Sequence, residues 1–523
     1  MTQQPSQKNH LVWFKRDLRI TDHAPLMAAA NQGVVLGLFL FEPGLIQSDE
    51  YGSHHHRFIC EALRELIDRF RSLGGHFILR RGEALTVLET VYREWPFQSI
   101  SSHAETGNYF TYSRDKAVAL WCRENGIEWK EYRQDGVVRR LRTRDGWSRR
   151  WATTMRREFI GVPQKLVSPQ HLGSDGLLSV EDLGLASNSV ERAQAGGETH
   201  GNRCLDRFLS QRSVRYRSDM SSPLTGWNGC SRLSPYLAWG CLSLKTIVQA
   251  TENRVLELKR LQQERQAVPS TWLPSLRSFQ SRLRWHCHFM QKLEDEPELE
   301  FQNLCRGFDG MREDDFNEDS FSAWCRGQTG YPMVDACMRS LKRTGWLNFR
   351  MRAMLVSFAS YHLWLHWRRP AVFLGYHFLD FEPGIHFSQV QMQAGTTGIN
   401  TIRIYSPTKQ GRDQDPTGVF IRRWVPELAG VPLEQLFEPH LMTIQEQSAS
   451  GCFIGKDYPP PIVDHSTASR AAHAKVARFR SLSTTKEAAR KVLAKHGSRK
   501  AGAVPRRQHQ RHKGWAETSP ASH

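Results

Sequence analysis

The feature that most constrains this chain is a change of hydrophobic rhythm partway along it. Between residues 10 and 135, short apolar runs alternate with stretches of helical period. "HLVWF" (10–14), "VVLGLFLF" (34–41) and "HFILRRG" (76–82) predict strands, as do "SISSHAE" (99–105) and "IEWKEYR" (127–133). "HHRFICEALRELIDRFRSLGG" (55–75) sets Phe58, Leu63, Leu66, Ile67 and Phe70 on one helical side and stops at two glycines. "ALTVLETVYREW" (84–95) and a stretch around 108–125 predict further helices. Alternating strands and helices imply a parallel sheet covered on both faces, which binds ligands at the carboxyl ends of its strands. There is no G-x-G-x-x-G and no Walker loop, so a standard dinucleotide or nucleoside triphosphate site is not indicated.

From about residue 200 the period is helical throughout. "YPMVDACMRSLKRTGW" (331–346) places Val334, Cys337, Met338 and Leu341 at i, i+3, i+4, i+7, with Pro332 suited to the first turn and Gly345 to the stop. "RMRAMLVSFASYHLWLHWRR" (350–369) is apolar around most of its circumference and predicts a helix deep in a bundle. Between the two regimes, residues 163–200 are rich in Ser, Gly, Pro and Gln, as an interdomain linker is. A chain of 523 residues exceeds one core. The expected division is a disordered 1–9, an α/β domain at 10–140, a connection at 141–200, an all-helical domain at 201–465 and a disordered tail at 466–523.

The net charge of +18 is unevenly spread. Residues 466–523 hold 14 Lys/Arg and 2 Asp/Glu, or 14 − 2 = +12, which leaves +6 for the rest. A solvated basic arm and an attraction to nucleic acid both account for this tail. Within it, "TKEAARKVLAKHG" (485–497) has the pattern of a short amphipathic helix. The ten cysteines form no C-x-x-C pair, so zinc ribbons and thioredoxin-like sites lack support and no metal is expected. Four cysteines distant in sequence could still converge on an iron–sulfur cluster. With no apolar run of about 20 residues and a polar start, the chain reads as a soluble, cytoplasmic protein.

Several short segments carry chemistry. In "NGCSRLSPYLAWGCLS" (228–243), Ser231, Ser234 and their amides could hold a phosphate, with Arg232 adding charge; helix capping explains the same serines. Arg350 and Arg352 lie two apart, as do Asp380 and Glu382, and apolar surroundings favour their pairing. Trp364 and Trp367 share a helical side, which fits core packing. "DFEPGIHFSQVQMQAG" (380–395) puts a histidine and three alternating glutamines next to this apolar region.

These segments, with the opening "LVWFKRDLRITDHAPL", "QTGYPMVDACMRSLKRTGW", "FRMRAM", "SPTKQGRDQDPTGVFIRRWVPEL" and "YPPPIVDH", resemble the photolyase/cryptochrome family of flavoproteins from about residue 10 to 475. The resemblance implies an N-terminal α/β domain, joined to an all-helical domain holding FAD. In some members the α/β domain carries a second, antenna chromophore of folate or deazaflavin type. It further implies blue-light chemistry on UV-damaged DNA, with a monomer as the working form. Carried over by motif, Tyr216 and the run Cys230, Ser231, Arg232, Leu233, Ser234 take the FAD-phosphate loop. Asp380, paired with Arg352, and Glu382 take positions beside the flavin. Trp285 takes the position of the tryptophan that stacks on the lesion. Arg350 and Arg403 take positions on the DNA face, and Trp367 the middle of an electron-transfer chain.

This sequence also departs from the family pattern. Cys230 stands where threonine is usual, Glu382 where aspartate is, Arg282 where a lesion-binding glutamate is, and His286 where arginine is. Phe349 takes the place of an asparagine near flavin, and Ala353 that of a methionine. An ungapped count from Asp380 sets His386 opposite flavin N5 and Val390 at the tryptophan nearest the flavin. No tryptophan stands near 314, the outer position of the chain. The first expectation is a photolyase-type carbon–carbon lyase that splits pyrimidine dimers. The alternatives are a cryptochrome-type blue-light receptor and a flavin-bearing nucleic-acid-binding protein without repair activity.

Overall fold

The structure is a computed structural model that describes residues 8–186, 190, 193–314 and 316–498. Five strands form one parallel sheet: β1 (Lys8–Phe14), β2 (Gly33–Phe41), β3 (His76–Arg81), β4 (Ser99–His103) and β5 (Glu128–Tyr132). Their order is β3-β2-β1-β4-β5, with Lys8 opposite Gly33 and His10 opposite Ser99. The central strands β1 and β2 are almost wholly buried, which explains why their sequences run apolar without alternation. Helix Ser53–Ser72 buries Phe58, Ile59, Ala62, Leu63, Leu66 and Phe70 on the sheet side. The chain reverses direction at β1, so the crevice between the carboxyl ends of β1 and β4 is the topological switch point.

Residues 141–200 are more structured than a linker. They contain a helix, Trp147–Met155, and a strap that closes the edge of β3. Ser174 Oγ accepts from the Leu79 amide at 2.9 Å, the Asp175 amide donates to the Leu79 carbonyl at 2.9 Å, and Asp175 accepts from the Arg81 amide at 2.7 Å. An exposed parallel edge is thereby paired.

The second half is helical, as its period predicts. Helices Trp272–Asp295, Pro332–Thr344, Phe349–Ser357 and Pro383–Ala394 surround a core that includes Met338, Leu341, Met354, Phe358, Trp367 and Phe387. Pro383 begins the last of these, and Gly384 lets it approach helix 272–295: a Cβ there would meet Met290 Cα at 2.7 Å. Arg16, just past β1, joins the two halves. It donates to the carbonyls of Ala238 (2.8 Å) and Phe381 (2.5 Å) and stacks 4.6 Å above Trp239.

The expected disordered tail needs correction. Residues 465–496 form two helices, His465–Ser481 and Ser483–His496, which bury Ala472, Val476, Thr485, Val492 and His496. Lys495 Nζ donates to Glu296 at 2.7 Å, and Thr485 Oγ1 donates to the Gly307 carbonyl at 2.8 Å. Charge dominates the composition here, but the apolar residues recur on one helical side and that side is packed. Residues 499–523, and the first seven of the expected disordered N-terminus, lie outside the described residues; Lys8 and Asn9 belong to β1.

Candidate functional site

The anchor of the site is a paired carboxylate. Helix 349–357 presents Arg352, whose Nη1 and Nη2 donate to the two oxygens of Asp380 at 3.0 and 2.9 Å. Arg352 Nε donates to the Leu347 carbonyl at 2.8 Å, and its guanidinium lies 3.9 Å above the Phe378 ring. Burial by itself raises the Asp380 carboxyl, but the charge and hydrogen bonds of Arg352 outweigh it and hold it below its ordinary range.

Beside this pair runs the loop 230–234, between the helices Pro223–Gly229 and Ser234–Ala238. Arg212 donates to the carbonyls of Cys204, Cys230 and Ser231 at 3.0–3.1 Å and so fixes one side of the loop. Arg232 has φ of 60° and is buried. Its guanidinium lies between Trp227 and Trp346, at 3.9 and 4.1 Å. Its Nε donates to Gln194 at 3.0 Å, while Nη1 is buried without a partner among the described residues. Burial pulls this guanidinium down to about 10, against the charge of Asp380. Cys230 is pushed up to about 11 by burial, so it is a neutral thiol and a weak donor. Tyr216 packs edge-on to Phe208 and Phe279, each at 5.6 Å.

Three guanidiniums thus converge where Asp380 is the principal acid, and one buried N–H is unsatisfied. That donor set fits an anionic phosphate beside the loop, and the Arg352–Asp380 pair fits a polar ring system next to it. The structure therefore brings together Tyr216, Cys230, Ser231, Arg232, Leu233, Ser234, Arg352 and Asp380.

Other sequence candidates lie around this group. Trp285 on helix 272–295 is 41% exposed, stacked on Phe289 at 5.6 Å and 28°. Phe349, at the start of its helix, is 47% exposed; Arg350 is partly buried, and Arg403 is exposed. Trp367 is fully buried, with its Nε1 donating to Asn303 at 2.7 Å. Val390 and Ala353 are buried in the helical core.

His386 turns toward helix Arg368–His377, where its Nε2 meets the Ala371 carbonyl at 2.8 Å. A carbonyl only accepts, so Nε2 carries the hydrogen. Burial pulls the ring down to about 4, leaving Nδ1 an acceptor in a neutral imidazole. The glutamines are not one lining. Gln391 is buried and ties residues 299–304 to its helix, donating to the carbonyls of Leu299 (2.9 Å) and Gln302 (2.8 Å) and accepting from the Leu304 amide (2.7 Å).

Glu382 points the other way, into the switch-point crevice, with Arg16 at 3.6 Å. Lys15, Arg16, Asp17, His103 and His286 also line this cavity of about 30 Å³, which has room for little more than a water. Burial raises the Glu382 carboxyl to about 7. Asp17 accepts from His23 (2.9 Å) and His103 (2.8 Å), and its other oxygen accepts from the Lys15 amide at 2.7 Å. This trio is the one metal-type grouping among the described residues, and no cysteine belongs to it. It is closed by its own hydrogen bonds: His23 Nδ1 accepts from the Leu26 amide, so its Nε2 bears a hydrogen and offers no lone pair.

Sequence reading missed an arginine field. Residues 139–157 hold eight arginines against one acid, Asp145. Arg140, Arg142, Arg149 and Arg150 are exposed, as are Arg277, Arg282 and Arg284 of helix 272–295. Among the described residues none of the seven makes an ion pair with a carboxylate. Arg284 lies 5.4 Å above Trp151, which sets the two groups side by side next to Trp285. The signal was the run "VRRLRTRDGWSRR", hidden by attention to the more basic tail.

Comparison with known proteins finds one family in both halves of the chain. A family model described as DNA photolyase matches residues 10–157, and one described as the FAD binding domain of DNA photolyase matches 279–478. Cryptochrome DASH of Gloeobacter violaceus is 28% identical, over 88% of this chain and 94% of that protein. The deoxyribodipyrimidine photo-lyase of Alkalihalophilus pseudofirmus is 25% identical, over 88% and 96%. The solved structure of a bacterial class III photolyase from Agrobacterium tumefaciens superposes with a TM-score of 0.79 at 25% identity, over 92% of this chain and all of that one. The chain belongs to the photolyase/cryptochrome family of flavoproteins and carries its FAD-binding domain.

Proposed function

We propose that the protein is a blue-light-driven DNA photolyase that splits UV-induced pyrimidine dimers, acting as a cytoplasmic monomer on DNA. The observation that carries this reading is Trp285: an exposed aromatic ring beside Arg282 and Arg284, which among the described residues make no ion pair with a carboxylate. Such arginines neutralise a phosphate backbone, and a projecting ring stacks on a base drawn out of the duplex. When bound, FAD supplies a light-driven electron loan and recovery, so that dimer cleavage is redox-neutral overall. Tyr216, Arg232 and the 230–234 loop would hold its phosphates, and the Arg352–Asp380 pair would flank its ring; Glu382, expected there from the sequence, faces the switch-point crevice and Arg16 instead. Arg350 and Arg403 would contact DNA. His386 offers an acceptor nitrogen, and Trp367 a buried, hydrogen-bonded indole for electron supply. The antenna expectation is supported by the photolyase of Sulfolobus tokodaii, described with two FAD molecules. A chromophore in the switch-point crevice would require Lys15 and its neighbours to rearrange, because about 30 Å³ is open there.

The blue-light receptor reading is favoured by Val390 at the expected proximal tryptophan and by Phe349 and Arg282 in the expected lesion pocket. Relatives carry both kinds of name. The test is repair of cyclobutane and (6-4) dimers, in single- and double-stranded DNA, under blue light with reduced protein. Loss of one lesion class supports the proposal; no loss of either, with FAD bound and reduced, overturns it and leaves the receptor.

A further inference from the structure

The helix Phe349–Ser357 passes into a π-helical turn at Phe358–His362, and Trp364 just beyond has φ of 53°. A bulky side chain in left-handed conformation is uncommon, and both irregularities gather at functional sites.

Against this turn lies Arg312, 2% exposed. Its guanidinium lies 4.4 Å above Trp364 and 5.3 Å from the Tyr361 ring. None of its three side-chain nitrogens has a hydrogen-bond partner among the described residues. The neighbouring acid is occupied elsewhere: Glu313 accepts from the Arg312 backbone amide at 2.8 Å and faces His366 at 3.8 Å. The Trp364 indole N–H and the Tyr361 hydroxyl are also buried without partners among the described residues. A second cation, Lys475 of helix 465–481, lies 4.6 Å above Trp364, and Arg480 acts on Tyr361 electrostatically.

An unpaired buried guanidinium is among the most costly groups a core can hold. Burial pulls Arg312 down to about 10. The groups left over around it are donors, and what donors lack is an acceptor-rich partner. We propose that Arg312, with Trp364, Tyr361 and Lys475, forms a binding site for a small oxyanion of the phosphate type, closed over by helix 465–481. The planar fork of Arg312 matches two oxygens of such an anion, and the aromatic walls exclude water from the pair. Because Arg312 is buried beneath that helix, a polymer backbone has no access, which selects a free anion over nucleic acid. The site shares no residue with the FAD loop or with Trp285.

Thermal unfolding of the full-length, FAD-loaded protein tests this, with inorganic phosphate titrated against chloride at constant ionic strength. For the wild type, Tm rises with phosphate and saturates. Arg312→Met removes the unpaired charge, so its Tm without phosphate exceeds that of the wild type and does not respond to phosphate. Lys475→Ala, a change at an exposed side chain, weakens the apparent phosphate affinity by about tenfold and covers the case in which Arg312→Met fails to fold. A wild type without a saturable response overturns the proposal, as does an unchanged response in either variant.

Discussion

Asp380 and Glu382 stand two residues apart, yet their environments drive them in opposite directions. Arg352 holds Asp380 ionised, so this pair stabilises the fold above the carboxyl's unfolded value and is lost as pH falls through its lowered folded value. Arg352→Ala leaves that carboxylate buried and alone. The expected cost is about 3–5 kcal/mol, read as a lower denaturation midpoint at pH 7 and loss of co-purifying FAD absorbance. Glu382 is the reverse case. Its folded value of about 7 exceeds the unfolded one, so its contribution to stability is whole below the unfolded value and declines as pH rises toward 7. Glu382→Gln should flatten the loss of stability between pH 5 and 7.5 by the equivalent of one proton, measured by urea denaturation at fixed salt; an identical slope would show that Glu382 is ionised throughout. Trp285→Ala, by contrast, should cost little stability because the residue is 41% exposed and its stacking on Phe289 is the main packing it loses. It should weaken binding to UV-irradiated DNA by the equivalent of about 1–3 kcal/mol per stacked base.

At the scale of elements, the arginine-bearing helix 147–155 and the C-terminal helix pair make different predictions. Replacing Arg149 and Arg150 together should weaken binding to damaged and undamaged DNA alike. The slope of log affinity against log salt should fall by roughly two; an unchanged slope would remove this helix from the DNA face. Truncation after Asp464 removes both packed helices and should lower Tm by several degrees. These elements also show what a sequence can convey. That charges flanking an apolar stretch would pair was legible from the sequence, while the choice of Arg352 for Asp380 was what the family resemblance implied, and Glu382 pairs with Arg16 instead. The 485–497 helix was legible by period, but its packing was not, since charge there outweighs a few well-spaced apolar residues. Gln391 and His386 were illegible for another reason. Their bonds go to the backbone carbonyls of Leu299, Gln302 and Ala371, and no side-chain pattern marks a carbonyl.

Across the whole molecule, the switch from βα alternation to helical period marks the two layers of the fold, and Arg16 with Glu382 shows how they join. The sequence does not convey what three-dimensional closure brings together: Arg212 beneath the 230–234 loop, Arg232 between Trp227 and Trp346, and Arg284 against Trp151. The molecule holds a buried cationic cradle that fits FAD, and on its outer side Trp285 stands beside exposed arginines. We propose that this side receives damaged DNA for light-driven repair. The most direct measurement is the dimer content of UV-irradiated DNA after incubation with reduced, FAD-loaded protein, under blue light and in the dark. The expected result is loss of dimers only in the light, with more than one dimer removed per protein molecule and a deficit in Trp285→Ala. Equal dimer content in light and dark, with FAD demonstrably bound and reduced, would contradict it.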